Sequence, residues 1–235
     1  MFPLYDENRP LRRPIVNYFL IAINTVVFFY FYLQGRYRFE RAIVSYGMIP
    51  LYFLEGVNLH TLITSMFMHG SIEHLLGNML YLYIFGDNVE DALGHVKYIL
   101  FYITSGIGAS LIHTLSIFLM PPSLQYLSLK IPAVGASGAI SGVLGAYMLL
   151  YPYARIRTLV FYWYFFVLSI PAYYYIGFWF IYQLMMGVMS LRLPLGVAFW
   201  AHIGGFVTGI ILVKALRVRP GPKRRIVTRY IVPIE

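Results

Sequence analysis

Cysteine is absent from the 235 residues, and charge is scarce: Asp, Glu, Lys and Arg together make up 11% of the chain against 60% hydrophobic residues. Without cysteine a disulfide-stapled secreted module is excluded. The scarcity of charge excludes a soluble enzyme, whose usual balance is roughly 45–50% apolar and 25% charged, and it excludes a disordered tail as well. Acidic side chains are the rarest of the charged groups, nine against eighteen Lys and Arg. The only ones within reach of an apolar run are Glu73 at one end of a run and Asp87, Glu90 and Asp91 at the other. What remains is a chain of mean hydropathy +0.69 with repeated apolar runs long enough to cross a bilayer, and it reads as a membrane protein of one domain.

Apolar runs between polar breaks predict six helical spans: Ile15 to Gln34, His74 to Val89, Tyr98 to Phe118, Ser137 to Tyr151, Pro171 to Met189 and Val197 to Leu216. The second and fourth are short, and the second carries His74, Asn78 and Asp87, which are expected to face the protein interior. The segment Gly35 to Glu73 is too long for a simple connection and too apolar for a solvated linker, so it is read as pieces lying at the membrane interface. Thr158 to Ser169, rich in β-branched and aromatic residues, fits either an extended hairpin or an interfacial segment, and periodicity does not choose between them. Residues Met1 to Pro14 are polar and lack a signal-peptide pattern, so the first span is expected to remain in the mature chain.

The net charge of +9 does not point to nucleic acid, because the basic residues gather at span ends. Six spans put both termini on one side. That side then holds Arg9, Arg12, Arg13, Lys97, Arg155, Arg157, Lys214, Arg217, Arg219, Lys223, Arg224, Arg225 and Arg229, 13 of the 18 basic residues. Arg36, Arg38, Arg41, Lys130 and Arg192 fall on the other. The 13 to 5 split predicts cytoplasmic termini and a multi-pass protein of the cell membrane, with the C-terminal basic run contacting anionic lipid of the bilayer.

This topology brings four polar residues to one depth. Ser137 opens span four, His202 lies near the start of span six, and His74 and Asn78 share one face of span two at i, i+4. A hydroxyl attacks an amide only with a base to take its proton and donors to hold the developing oxyanion. Ser137, His202 and Asn78 supply those three roles, and free N–H groups at the helix start beside Ser137 add to the donors. Small residues surround both reacting groups: Gly135-Ala136-Ser137-Gly138, with Ser141, Gly142 and Gly145 following, and Ala201-His202-Ile203-Gly204-Gly205 with Gly209. They allow spans four and six to approach closely.

These motifs, together with Phe67-Met68-His69-Gly70 and His74-xxx-Asn78, resemble the rhomboid family of intramembrane serine proteases over nearly the whole chain, from about Asn17 to Leu216. The resemblance implies an all-α membrane protein, a six-transmembrane-helix bundle with a long interfacial first outer loop. It divides the chain into a cytoplasmic tail (1–14), a six-span catalytic domain (15–216) and a basic cytoplasmic tail (217–235). It further implies a Ser-His dyad with Ser137 as nucleophile and His202 as base then acid, and oxyanion stabilisation by Asn78 and His74. Cleavage of a peptide bond in or beside the membrane segment of a single-span protein follows, without cofactor. Two departures stand out: His60-Thr61 where many members carry Trp-Arg, and Ser141 where some carry a Tyr that stacks on the His.

Each residue also has an ordinary reading. A lone Ser at a helix start is usually a cap, a Gly-rich stretch is usually a packing face, and a lone interior His is often only hydrogen-bonded. It is the combination at one depth that favours catalysis. The spacing of His69, Glu73 and His74 matches neither zinc-protease pattern, so no metal is expected. Facing carboxylates for an aspartyl mechanism are lacking, and no carboxylate falls near His202 to complete a triad. His60, His95 and His113 are read as structural, and Tyr173 to Tyr182 mostly as a lipid-facing and packing surface. A non-catalytic relative that grips membrane clients usually lacks the Ser or the His, and a transporter should place its polar cluster at the midplane. The sequence gives no indication of oligomeric state.

Overall fold

A computed structural model describes residues 2–161, 163–193 and 195–220. The basic positions Lys223, Arg224, Arg225 and Arg229 lie outside them.

Six long helices coincide with the six expected spans: α1 (Ile15–Tyr32), α5 (Ile72–Leu93), α6 (His95–Ile117), α8 (Ser137–Leu150), α9 (Ala172–Ser190) and α10 (Phe199–Ala215). Between α1 and α5 the chain forms α2 (Arg36–Tyr46), α3 (Pro50–Leu54), α4 (Thr61–Thr64) and a 3-10 turn, and α7 (Pro122–Ser128) precedes α8. By length and composition α1 and α6 suffice to cross a membrane, while α8 and α10 are apolar but shorter. Large apolar side chains such as Val26, Leu100, Phe178 and Met185 point outward from the bundle. In water so much exposed apolar surface would be a liability.

Helix α8 is the axis of the bundle. From Gly138 to Tyr147 every residue is buried, and the small side chains let neighbouring backbones close on it. A Cβ on Gly205 would come 1.9 Å from the Gly138 carbonyl oxygen, and one on Gly209 2.2 Å from that of Gly142. The two i, i+4 glycine pairs therefore form the α8–α10 contact that the small-residue pattern predicts. With 14 residues α8 is only about 21 Å long at ~1.5 Å per residue.

The acidic end of α5 serves as a set of caps for a distant segment. Glu90 accepts from Val16 N–H (3.0 Å) and Asn17 N–H (2.7 Å), satisfying the first turn of α1, and Asp91 accepts from Leu11 and Arg12 N–H. Because α1 starts at Pro14 without a side-chain cap of its own, this tertiary cap fixes where the helix begins.

At the sheet end of the bundle one open reading is decided and one expectation changes. The Thr158 to Ser169 stretch resolves as a hairpin, β2 (Arg155–Phe161) and β3 (Phe165–Pro171), paired from Arg155↔Pro171 to Phe161↔Phe165. Residues 1–14 are not simply a tail, because β1 (Phe2–Asp6) pairs antiparallel with β2 and completes a three-stranded sheet in the order β1-β2-β3. The mostly helical fold thus carries one small sheet, formed because the outer edge of β2 needs backbone partners.

Asp6 ties this sheet to the helices. Its Oδ2 accepts from Tyr147 Oη (2.5 Å) and Asn88 Nδ2 (3.0 Å), while Asn8 Nδ2 donates to Asn88 Oδ1 (2.7 Å). Burial pushes the Asp6 carboxyl up from 3.8 to about 7, against the lowering effect of the Tyr147 hydrogen bond. A raised folded pKa means that the protonated form docks better. The stabilisation is complete below the ordinary value and is lost as pH rises through about 7. Trypsin cleavage after Arg12, the one basic residue of this segment not followed by proline, is therefore expected to accelerate as pH rises from about 5 to about 7, beyond trypsin's own pH response, and no further above that. The Asp6→Asn protein should lose that extra dependence, and an unchanged profile would remove Asp6 as its source.

Candidate functional site

The four residues singled out in the sequence line one cavity of about 780 Å³ at the Ser137 end of the bundle. Ser137 is the first residue of α8 and His202 the fourth of α10. The glycine contacts between those helices bring the two side chains together, with Ser137 Oγ 2.8 Å from His202 Nε2. A serine hydroxyl that donates to an imidazole nitrogen at this distance is in position to lose its proton as it attacks.

Helix α5 supplies the other two residues. Ser71 caps it by accepting from His74 N–H (3.2 Å), which fixes the first turn and points the i, i+4 pair His74 and Asn78 along one face. Asn78 is buried, and its Nδ2 has no hydrogen-bond partner among the described residues. A buried amide donor without an acceptor is costly unless a ligand or water supplies one. His74 Nδ1 accepts from Gly70 N–H (3.4 Å), which leaves Nε2 as the protonated nitrogen able to donate.

Gly135 is required between these parts. Its φ of +122° lies in the region that glycine tolerates, and a Cβ there would sit 2.7 Å from His74 Nε2 and 3.6 Å from Asn78 Nδ2. The absence of a side chain lets the turn into Ser137 run directly beside the α5 pair. That turn is held by Gly135 N–H to Ser65 O (2.9 Å) and by reciprocal bonds between Met48 and Ala133. Thr64 Oγ1 donates to Tyr46 O (2.8 Å) and Thr61 Oγ1 to Asn58 O (2.8 Å). The segment between α1 and α5 is thus braced through backbone and threonine contacts, with His60-Thr61 in the place of the Trp-Arg pair.

Ser141 makes no aromatic contact with the imidazole; its Oγ donates to Ser137 O (2.6 Å). The ring beside His202 comes instead from α9: Trp179 lies 6.1 Å away between centroids, tilted by 34°, and Phe199 meets the imidazole edge-on at 6.4 Å. Helix α9 also contributes Gln183, buried, with Oε1 2.8 Å from His202 Nδ1. Neither residue was singled out in the sequence, where α9 reads as a lipid-facing wall. The available signal was Gln183 itself, the only amide in an aromatic and aliphatic helix without charge. His113, read as structural, also borders the cavity. The His69 and His74 rings are 5.1 Å apart, but among the described residues no three His, Cys, Asp or Glu side chains are grouped to hold a metal ion.

A helical bundle with outward-facing apolar surface, organised around a half-buried serine–histidine contact, is the architecture of an intramembrane protein with a recessed polar site. The chain belongs to the rhomboid family: the Rhomboid domain profile matches residues 56–219, and the protein is accordingly an integral membrane protein. Rhomboid protein 1, mitochondrial, of Saccharomyces cerevisiae is 30% identical over 197 residues, covering 83% of this chain and 51% of that protein. RHOMBOID-like protein 6, mitochondrial, of Arabidopsis thaliana is 32% identical over 171 residues, 71% of this chain and 47% of its own. Rhomboid protease GluP of Bacillus subtilis is 30% identical over 134 residues, 57% of this chain and 24% of its own. The chain thus spans about half the length, or less, of these relatives.

Proposed function

We propose that the protein is an intramembrane serine endopeptidase that hydrolyses peptide bonds in or near the membrane segment of single-span proteins, without a cofactor. The observation that carries this reading is the 2.8 Å contact between Ser137 Oγ and His202 Nε2, which faces the same cavity as the unpartnered Asn78 amide. Family membership, with a relative named a rhomboid protease, adds to it.

In this reading Ser137 Oγ attacks the scissile carbonyl carbon while His202 Nε2 takes the hydroxyl proton. The oxyanion is held by Asn78 Nδ2, His74 Nε2–H and the free N–H groups at the start of α8. His202 returns the proton to the leaving amine, leaving an ester on Ser137. Water activated by His202 then hydrolyses the ester and restores the hydroxyl. His202 thus acts as base and acid in turn.

All six long helices cross the bilayer in this reading, and both termini and the sheet lie in the cytoplasm. The distribution of basic residues supports that sidedness: Arg155, Arg157, Lys214, Arg217 and Arg219 flank the sheet end of the helices. The cell membrane is the location consistent with it, and the two relatives named as mitochondrial mark the other membrane in which such chains are found. Water then reaches Ser137 from the extracytoplasmic side, through the cavity.

A stable substrate helix keeps its carbonyls hydrogen-bonded, so the scissile bond must be presented in extended form. With the purified protein and a single-span substrate in liposomes, product termini mapped by mass spectrometry are expected near the extracytoplasmic end of the substrate helix, beside small residues. Gly or Pro introduced there should raise the rate. Cuts at the cytoplasmic end, or rates indifferent to helix-breaking residues, would contradict the topology.

A further inference from the structure

We propose that Gln183 is a positioning residue that holds His202 in the one tautomer able to act as base, a role that rests on the serine-protease reading above. For Nε2 to accept the Ser137 proton, the neutral imidazole must carry its own proton on Nδ1. Among the described residues the partner of Nδ1 is Gln183 Oε1, at 2.8 Å. A donor in so apolar a setting needs an acceptor, and the amide oxygen provides one.

The chemistry of the site favours an amide over a carboxylate. An ionised acid inside the bundle would carry the desolvation cost of a buried charge, whereas a buried amide is tolerated once it is hydrogen-bonded. When His202 takes the serine proton, the Gln183 carbonyl dipole lies against the positive ring and stabilises it without adding a charge. This is the orienting role that the third member of a hydrolytic triad performs, filled here by a neutral group.

The geometry of α9 supports a dedicated role. Trp179 and Gln183 stand at i, i+4 on one face; the first lies against the imidazole ring and the second against its Nδ1 edge. The helix is held in register on α10 by Trp200 Nε1 donating to Gly187 O (2.9 Å), and by Phe180 stacked on Phe206 at 4.2 Å. His202 is therefore gripped on two sides by a helix other than its own. Competence of the base depends on α9 being packed against α10.

The test uses the purified full-length chain in detergent and a fluorophosphonate probe, which reads Ser137 activation without a protein substrate. Ser137 Oγ forms a bond to phosphorus, the P–F bond breaks, fluoride leaves, and the proton passes to His202. Gln183→Met keeps the side-chain length and removes the acceptor; its inactivation rate constant is expected to fall about tenfold or more, within the ~10²–10⁴ that a general base contributes, at unchanged probe affinity. Gln183→Glu, kept protonated by the same burial, retains a neutral carbonyl acceptor and should recover most of the native rate constant. A native rate constant in Gln183→Met, or a Gln183→Glu protein as slow as Gln183→Met, would overturn the proposal. Should Gln183→Met fail to fold, the ¹⁵N spectrum of histidine-labelled native protein decides: a proton on His202 Nδ1 is expected, and a proton on Nε2 overturns the role. Absence of any Ser137 labelling in the native chain is a different result, and it removes the serine-protease reading itself.

Discussion

Replacing either Ser137 or His202 with alanine is expected to abolish cleavage of a membrane substrate, with a loss on the order of 10⁶-fold when the nucleophile or base of a hydrolytic unit is removed. The two groups act in one step, so the double variant should be no slower than either single one. Folding should survive both changes. Ser137 contributes only a hydroxyl at the head of α8, and its backbone carbonyl, which accepts from Ser141, is untouched. The α8–α10 contact is made by glycines rather than by His202. Turnover assays on the purified variants, with thermal unfolding as the control for structure, check this. A well-folded Ser137→Ala protein that still cleaves would show the nucleophile to be elsewhere.

Asn78→Ala is expected to lower kcat by ~10²–10³ without eliminating it, the usual effect of losing one oxyanion donor. The remaining donors, His74 and the N–H groups at the start of α8, explain the residual rate. The substitution removes an amide that has no partner among the described residues, so stability should hold or rise. Separate measurement of kcat and KM distinguishes the roles: an intact kcat with a raised KM would assign Asn78 to substrate binding instead.

The helices were legible in the sequence because each is an apolar run with distinct ends, and for all six the expected and observed starts differ by no more than three residues. The approach of α8 to α10 was legible for a related reason: only glycine permits such contact, and the glycines recur at helical spacing in both segments. Ser137, His202, His74 and Asn78 could be grouped because the expected alternation of span directions puts them at one depth, and the structure brings them to one cavity. The sheet was harder to see. Phe2–Asp6 is five residues long and its partner strand lies 150 residues away, so no local pattern announces the pairing. Glu90 and Asp91 looked like the acidic end of a helix, and only the tertiary fold shows Glu90 capping α1 and Asp91 holding the segment before it. Gln183 carried a signal, as the one amide of α9, whereas Trp179 is one aromatic among many in a helix that is otherwise apolar all round.

The most direct measurement is the mass of the peptide containing Ser137 after reaction of the purified native protein with a fluorophosphonate. A single adduct on Ser137 is expected, absent from His202→Ala, because Oγ is nucleophilic only while Nε2 can take its proton. An adduct on another serine, or equal labelling of Ser137 without His202, would contradict the assignment of this pair as the catalytic unit.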